Sequence, residues 1–285
     1  MVILLGTLEQ GLIFSIMVLG VYISYKILDF PDLSVDGSFP LGAAVAAVCV
    51  SRGMSPVLAL LLAVVAGGMA GFVTGYIHVK WNITNLLAGI IVMTGLYSVN
   101  LRVMGKSNIP LFGVDHLFNT GLPSIVVILV LLTVVKGSLD YLLKTKFGFA
   151  LKALGDNETL VVSLGINEKH LKIYGLAISN ALVALSGGIL AQYQGFADVG
   201  MGTGTIVTGL AAIIIGETVF KTGKFMKATT VALLGTLIFK YVVAAALKMG
   251  MRASDLKLVT AVIVVGIMAL KEKKKGLKRG VASNG

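Results

Sequence analysis

Two glycine-rich segments, far apart in the chain, contain the residue types that could bind a small solute. The first reads LSVDGSFPLGAAVAA at residues 33–47 and includes Asp36, Ser38 and Gly42. Asp-Gly is a turn signal, Ser38 is a favourable helix cap, and Pro40 is tolerated in the first turn of a helix. This order predicts a helix that begins inside an apolar run, where unpaired backbone N–H groups favour an anion such as a carboxylate. The alternative is that Asp36 caps this helix near a membrane surface.

The second segment reads GMGTGTIVTGLAA at residues 200–212. Its glycines repeat the five-residue spacing found in the first segment, and two alanines again follow closely. Corresponding broken segments in the two halves of a membrane protein indicate an inverted repeat with a binding site between them. We predict that the two segments line one solute pathway, to which they contribute Asp36, Ser38, Gly42, Gly204, Thr205 and Gly209.

Polar residues in other apolar segments have two interpretations each. Asn85, Thr94 and Asn100 lie along one segment, where they could face a polar cavity or join helices by hydrogen bonds. We include Asn85 and Thr94 in the predicted pathway. Glu217 and Lys240 lie in or near apolar segments, where charged residues are functional candidates by default. Each is also close enough to a segment end for its side chain to reach water.

The composition indicates which elements must position these residues. The 285 residues are 56% hydrophobic and 13% charged, whereas a soluble domain carries about 25% charged residues. Lipid must therefore be part of the solvent, and a spanning helix needs about 20 mostly apolar residues. We predict an all-α polytopic membrane protein, with residues 1–270 as one transmembrane domain and 271–285 as a basic tail. Its nine candidate segments are 3–25, 27–50, 55–78, 83–104, 122–143, 170–194, 202–218, 227–247 and 255–270.

The basic residues predict the orientation of the chain in the membrane. The tail KEKKKGLKR, at residues 271–279, is placed in the cytoplasm because cytoplasmic loops are rich in Lys and Arg. Alternating the segments then leaves 16 of the 24 Lys and Arg residues in inner loops and 6 in outer loops. The N-terminus is predicted outside and the C-terminus inside. Nucleic-acid binding is not favoured, because no basic groove or recognition motif accompanies the tail.

Other residue types argue against catalysis and metal binding in this chain. The single cysteine, Cys49, lies in an apolar run and reads as a small buried side chain. The three histidines lack metal-ligand spacing, so no metal site is predicted. The Gly-Lys pair in KTGKF, residues 221–225, lacks the upstream glycine and the following Ser or Thr of a Walker A sequence. We therefore expect no cofactor and no ATP hydrolysis in this chain.

A polar stretch, FGFALKALGDNETLVVSLGIN at residues 147–167, separates the fifth and sixth segments. The topology places it in the cytoplasm, and its pattern predicts two short helices with defined ends. Gly155 permits the left-handed conformation that ends the first helix, and Asp156 or Asn157 caps the second. Gly165 ends the second helix in the same way.

The same stretch has one apolar face per helix and an acidic start. Leu151 and Leu154 share a face of the first helix, and Val161 and Leu164 share a face of the second. Helices that lie on membrane surfaces usually carry basic residues on the polar face. Here the charged residues at the start of the second helix are the acidic Asp156 and Glu158, so docking against a protein partner is favoured.

This stretch resembles the cytoplasmic loop of permease subunits of ATP-binding-cassette (ABC) importers in the branched-chain amino acid, ribose and nucleoside group. The family's loop has a Gly-rich basic start, an Ala–x–x–Ala pattern, an acidic cluster and a Gly–Ile–Asn ending. Here these features are Gly148, Lys152, Ala150, Ala153, Asp156-Asn157-Glu158 and Gly165-Ile166-Asn167. The following AISNALVALSGGILAQYQG and the N-terminal LEQGLIFSIMVLGVYISYKIL also match, so the resemblance covers nearly the whole chain.

The resemblance implies a function, partners and a location. The chain would be a multi-pass subunit in the cytoplasmic membrane of a prokaryote, a homodimer served by two ATPase subunits that bind ATP and Mg²⁺, and by an extracytoplasmic binding protein. The loop 144–169 would dock on the ATPase through Gly148, Lys152, Gly155, Asp156, Asn157, Glu158, Val161, Leu164 and Gly165.

The substrate class rests on a variation within the family. The stretch FPDLSVDGSFPLGAA, at residues 30–44, differs from the branched-chain type and resembles a subgroup for aromatic or other amino acids. One alternative is an ABC permease for a nucleoside or a sugar. Another is an ion-coupled secondary transporter, a class that usually has buried carboxylates or Na⁺ ligands in its spans. A channel or a structural membrane protein would leave the ordered cytoplasmic stretch unexplained.

Overall fold

The computed structural model describes residues 2–119, 121–220, 223, 226–251, 255, 258, 260–262 and 265–266. Over these residues the chain is helical apart from a short two-stranded ribbon and connecting turns. The helices are α1 (Val2–Tyr22), α2 (Val35–Ser51), α3 (Pro56–Trp81), α4 (Asn85–Met104), α5 (Ser124–Leu142), α6 (Lys146–Asp156), α7 (Glu158–Ser163), α8 (Glu168–Gln194), α9 (Thr205–Val219) and α10 (Ala228–Lys248), and the strands are β1 (Asn108–Pro110) and β2 (Phe196–Asp198).

Six of the described helices are long and apolar enough to cross a membrane, and α2 and α9 are shorter apolar helices. These eight correspond to eight of the nine predicted segments, so the all-α polytopic fold is confirmed. The ninth predicted segment, 255–270, is only partly described, and the tail 271–285 lies outside the described residues.

The first helix ends in a way that the sequence pattern did not indicate. A π-helical turn, Ile23–Ile27, continues α1, and Asp29 then takes a left-handed conformation with φ of 52°. Residues 28–34 are not helical, so the helix predicted to begin at residue 27 begins at Val35 instead. The expectation of a broken second segment is confirmed, but Ser38 lies inside α2 and does not cap it.

The non-helical segment 28–34 crosses part of the apolar thickness before α2 starts. A Cβ at Gly89, the fifth residue of α4, would meet Leu33, and a Cβ at Gly37 would meet Leu96, the twelfth residue of α4. Ser34 also contacts Asn180, the thirteenth of the 27 residues of α8. The start of α2 therefore lies near the middle of the helical bundle.

Helix α8 is the centre of the bundle and packs against α1, α2 and α3. Glycines allow the close approach: a Cβ at Gly42 would overlap the backbone of Ala184, and one at Gly71 would overlap the backbone of Leu176. Small residues at helix contacts are typical of membrane proteins, because close packing replaces the hydrophobic effect there.

The ribbon joins two connections on the side predicted to be outside. Strands β1 and β2 pair antiparallel, with Ile109 opposite Ala197. Both of these residues are buried against the outer half of α2. The ribbon thus fixes the start of the descending turn, residues 199–204, that leads into α9.

Candidate solute pathway and coupling element

The starts of α2 and α9 are joined by one carboxylate. The Asp36 Oδ1 atom accepts hydrogen bonds from the backbone N–H of Ile206 and from the Thr205 hydroxyl, both at 2.8 Å. The Asp36 Oδ2 atom accepts one from the backbone N–H of Gly204, also at 2.8 Å. Gly204 has φ of 85°, which a glycine adopts without strain. We call this set, Asp36 with residues 204–206, the half-helix junction.

The junction confirms that the two predicted segments meet. It also shows that the anion at the start of α9 belongs to the chain itself and is not a solute carboxylate. A helix N-terminus carries partial positive charge and favours an anion. At α9 that anion is the chain's own Asp36. At α2, the backbone N–H of Ser34 donates to Asp32 Oδ1 at 2.9 Å, and the N–H of Ser38 donates to the Ser34 carbonyl at 2.9 Å. The N–H groups of Ser34, Ser38, Gly204 and Ile206 are therefore already bonded within the chain.

A second polar cluster lies just before α2. Asp32 is fully buried, and the Asn180 side-chain amide of α8 donates to its Oδ2 at 2.7 Å. The hydroxyl of Ser34 donates to Asn180 Oδ1 at 3.3 Å. Asp32 and Asn180 were not among the predicted site residues. A carboxylate that closely follows Pro31 inside an apolar stretch is a signal that could have pointed to Asp32.

A cavity of about 460 Å³ opens beside the junction. Its lining comes from the start of α2, from α4, and from the descending turn, and comprises Asp36, Gly37, Pro40, Met93, Thr94, Tyr97, Ser98, Asn100, Val199, Gly200 and Thr203. The Asn100 side-chain amide donates to the Gly37 carbonyl at 3.1 Å. Among the described residues, Asn100 Oδ1 and Ser38 Oγ are the buried side-chain oxygens without a hydrogen-bond partner.

Of the other predicted pathway residues, some line this cavity and others lie elsewhere. Thr94 lines it, whereas Asn85 lines a different cavity of about 390 Å³, which also contacts α6 and α7. Gly42 packs against α8, and Gly209 packs against Val21 of α1. Both glycines therefore permit helix packing and do not line the described cavity, because each Cβ position is filled by a neighbouring helix.

The remaining charged candidates have partners inside the protein. The Lys240 ammonium lies 3.2 Å from the centroid of the Phe14 ring, a cation–π contact between α10 and α1. Glu217 forms a 2.9 Å ion pair with Lys26. Glu9 is buried and accepts a 2.7 Å hydrogen bond from the Tyr193 hydroxyl. These contacts connect Lys240 of α10 and Glu9 of α1 to neighbouring helices.

The cytoplasmic stretch folds as two short helices, α6 and α7, which we call the coupling element. The Thr145 hydroxyl caps α6 by accepting from Gly148 N–H at 3.3 Å. Asn157 Oδ1 caps α7 by accepting from Leu160 N–H at 3.0 Å, as predicted. Gly165 has φ of 74° and ends the element, also as predicted. Asn167 then caps α8.

The role predicted for Gly155 is wrong. Gly155 lies inside α6 and is not among the residues with positive φ. A side chain is excluded there for another reason, because a Cβ would overlap the carbonyl oxygen of Ile27. The first helix ends instead at Asn157, whose backbone is extended with φ of −159°. Close packing under the end of α1 therefore replaces the predicted turn.

The apolar faces of the coupling element divide into a buried set and an exposed set. Leu151, Leu154 and Val161 are buried against the spans, whereas Leu164 is 66% exposed. The predicted stripe of Val161 and Leu164 is therefore wrong, because the two residues face different surroundings. Other large apolar side chains that face outward on this element and just after it are Phe149, Leu160, Val162 and Ile166.

The charged residues of the coupling element differ in their surroundings. Glu158 forms a 2.6 Å ion pair with Lys172 at the start of α8. The Lys152 ammonium donates to the Leu143 carbonyl at 3.2 Å, and it also lies 5.5 Å from the centroid of the Phe149 ring. Asp156 is exposed. Lys152 and Glu158 thus connect the two short helices to the adjoining ends of the chain's spans.

The coupling element contacts the segment that leads to the junction. Gly155 packs against Ile27, and both Leu28 and Leu151 contact Gly175 of α8. From Leu28 the non-helical segment runs directly to Asp32 and into α2. A displacement of α6 would therefore act first on this segment.

Within the described residues, no group of His, Cys, Asp and Glu is arranged to hold a metal ion.

Comparison with known proteins identifies the family. Residues 3–270 match the family described as "Branched-chain amino acid transport system / permease component". A tyrosine transport system permease protein of Clostridioides difficile (strain R20291) is 50% identical over 276 residues, 97% of this chain and 94% of that protein. The ribose import permease protein RbsC of Escherichia coli (strain K12) is 28% identical, over 95% of this chain and 86% of that protein.

More distant relatives include a probable branched-chain amino acid transport permease protein LivH of Methanocaldococcus jannaschii. It is 25% identical, over 84% of this chain and 82% of that protein. No solved structure gave a significant match.

The helical bundle, its half-helix junction and its ordered cytoplasmic element define a multi-pass permease of a bacterial cytoplasmic membrane. The chain belongs to the family of permease components of branched-chain amino acid transport systems, which are membrane subunits of ABC importers. The family resemblance inferred from the sequence is confirmed. Such a component is not itself catalytic and works with an ATPase and a binding protein.

Proposed function

We propose that this permease imports an amino acid of the aromatic class, delivered by an extracytoplasmic binding protein. The observation that carries the proposal is the 50% identity, over 97% of the chain, to a protein described as a tyrosine transport system permease. The cavity beside the junction supports it, because about 460 Å³ lies in the usual size range of small-molecule sites.

A separate ATPase subunit supplies the energy and binds ATP and Mg²⁺. The exposed apolar face of the coupling element supports this arrangement. Leu160 and Leu164 lie four residues apart and are 50% and 66% exposed, and residues at this spacing share one face of a helix. Apolar side chains that face the cytoplasm are more favourable when a partner covers them.

Two copies of the permease assemble with two ATPase subunits. The described part of each chain contains one coupling element, and an ABC importer closes two ATP sites between two ATPase subunits, so two coupling elements are needed. Closed two-fold symmetry is the commonest way to supply identical sites. Native mass spectrometry of the purified complex should show two identical permease chains. One permease chain, or two different ones, would contradict the assembly.

A sugar is the second candidate substrate, because the chain is also 28% identical to a ribose import permease over most of its length. Calorimetry on the partner binding protein separates the two. We expect saturable binding of tyrosine or phenylalanine and none of ribose. Binding of ribose alone would reject the amino-acid substrate and leave the importer class in place.

A further inference from the structure

The cavity beside the half-helix junction offers hydrogen-bond acceptors to a ligand. Its lining contains no Lys, Arg or His. Within the described part of the chain, Asp36 forms no ion pair, and its charge is stabilised by the N-terminus of α9 and by its place in the first turn of α2. A carboxylate in a cavity at mid-bundle depth favours a cationic partner, because the local dielectric constant is low.

Asp36 retains one place for such a partner. A carboxylate oxygen can accept about two hydrogen bonds. Oδ1 already accepts from Thr205 and Ile206, whereas Oδ2 accepts only from Gly204. The residue is partly exposed. Oδ2 therefore has one acceptor position left beside the cavity.

Asn100 provides a second acceptor, and this observation is independent of Asp36. Its amide nitrogen must point to the Gly37 carbonyl, because a carbonyl can only accept. The orientation of the side chain is thereby fixed, and Oδ1 is the atom left over. The side chain is fully buried on the cavity wall, and Oδ1 has no partner among the described residues. An unsatisfied buried acceptor is uncommon, so this oxygen is a candidate to accept from a ligand.

The two acceptors select the chemistry of the ligand. An ammonium group has a positive charge and three donors, whereas a carboxylate has no donors. Four N–H donors at the two helix starts, those of Ser34, Ser38, Gly204 and Ile206, are already bonded to Asp32, Ser34 and Asp36. We propose that the cavity binds the substrate through its α-ammonium group, with Asp36 and Asn100 as the acceptors. This rests on the proposed function, in that the substrate is an amino acid.

The rest of the wall suits the remainder of such a substrate. Met93 and Tyr97 lie on the same side of α4 as Thr94 and line the cavity. A methionine sulfur and an aromatic ring both make favourable contacts with another aromatic ring. Polar atoms of the cavity thus bind the ammonium group, which all amino acids share. The α4 wall contacts the apolar side chain of the substrate.

The test is direct binding to the purified permease–ATPase complex in lipid nanodiscs, without the binding protein. The probes are radiolabelled tyrosine, tyramine, which lacks the carboxylate, and 3-(4-hydroxyphenyl)propionate, which lacks the amine. We expect saturable binding of tyrosine and tyramine, and no saturable binding of the amine-free acid. Equal binding of the amine-free acid, or no binding of tyramine, would overturn the proposal.

Variants locate the binding in this cavity. Asn100→Leu removes the free acceptor and should weaken tyramine binding about tenfold to a hundredfold, as expected for a lost hydrogen bond to a charged group. Thr94→Val should have a smaller effect, because its hydroxyl already donates to Ile90 at 2.8 Å. Thr133→Val on α5, outside this cavity, is the matched control and should bind tyramine like the wild type. Unchanged binding by a folded Asn100→Leu protein would contradict the assignment.

Two further results separate this proposal from other occupants and from the proposed function. Saturable binding of ²²Na⁺ that tyramine does not displace would show an inorganic cation site and overturn the ammonium assignment. If the partner binding protein binds only ribose, the proposed amino-acid substrate is wrong. The cavity assignment is decided by tyramine: saturable binding that Asn100→Leu weakens supports it, and no binding to the wild-type complex overturns it.

Discussion

The coupling element and the half-helix junction differ in the sequence separation of the residues that build them. In the coupling element, Asn157 caps a helix by accepting from Leu160, only three residues away. In the junction, Asp36 accepts from Ile206, 170 residues away. Asp32 and Asn180, beside the junction, are 148 residues apart. Local sequence therefore determines the ends of α7, whereas the packing of the whole bundle determines the junction.

The largest effect in this comparison is expected at the contact that joins the two regions. Gly155→Val would place a side chain on the Ile27 carbonyl and prevent α6 from seating under α1. ATP-driven transport by the reconstituted complex should fall by more than about tenfold, in line with an overpacking cost of about 1–3 kcal/mol. Gly137→Val is the matched control, because no atom lies within 4 Å of a Cβ at that helical position. Similar loss in both variants would mean that the Gly155 contact is not specific.

The next effect tests the junction itself. Asp36→Ala removes three hydrogen bonds to the start of α9. The loss of a charged cap should reduce the free energy of unfolding by about 2–3 kcal/mol, measured as a lower thermal midpoint of the purified protein. Asp198→Ala is the control, because the hydrogen bonds that its carboxylate accepts, from the Gly200 N–H at 2.8 Å and from the Asn108 side-chain amide at 3.5 Å, are exposed. Equal thermal midpoints for Asp36→Ala and Asp198→Ala would contradict the role given to the junction.

A smaller effect distinguishes the two apolar faces of the coupling element. Val161→Ala removes buried methyl groups and should lower stability by about 1–2 kcal/mol. Leu164→Ser changes an exposed side chain, so the thermal midpoint should stay unchanged while binding of the ATPase weakens about tenfold. Pull-down of the ATPase and thermal unfolding measure the two properties separately. Unchanged ATPase binding by Leu164→Ser would place the docking face elsewhere.

The smallest effect is expected at the ion pair between the coupling element and the start of α8. Glu158→Lys breaks the pair with Lys172, which is partly exposed, and exposed pairs contribute at most about 1 kcal/mol. Transport should fall by no more than a few-fold. The exchanged pair, Glu158→Lys with Lys172→Glu, should restore it. If the exchanged pair is no better than the single variant, the two charges do not act through each other.

The comparison also explains which features were predictable from the sequence. The apolar segments, the broken start of α2, the Asn157 cap and the left-handed Gly165 follow from local patterns that act over a few residues. The reason for glycine at 155 does not, because it depends on the carbonyl oxygen of Ile27, in the π-helical turn that follows α1.

The predictions for the solute pathway divide in the same way between features that local sequence indicates and features that depend on the fold. The sequence placed Asp36 and Thr205 in corresponding broken segments, and the structure joins them. It gave Gly42 the wrong role, because only the fold shows that α8 occupies its Cβ position. Asn100 was noted as a polar residue, but its unpaired oxygen depends on Gly37 in a different helix.

The most direct test of the account is uptake of labelled tyrosine into proteoliposomes that contain the permease, its ATPase and its binding protein. The account predicts uptake that requires internal ATP and the binding protein, persists without any ion gradient, and is lost in Gly155→Val but not in Gly137→Val. Uptake driven by an ion gradient in the absence of the ATPase would contradict it.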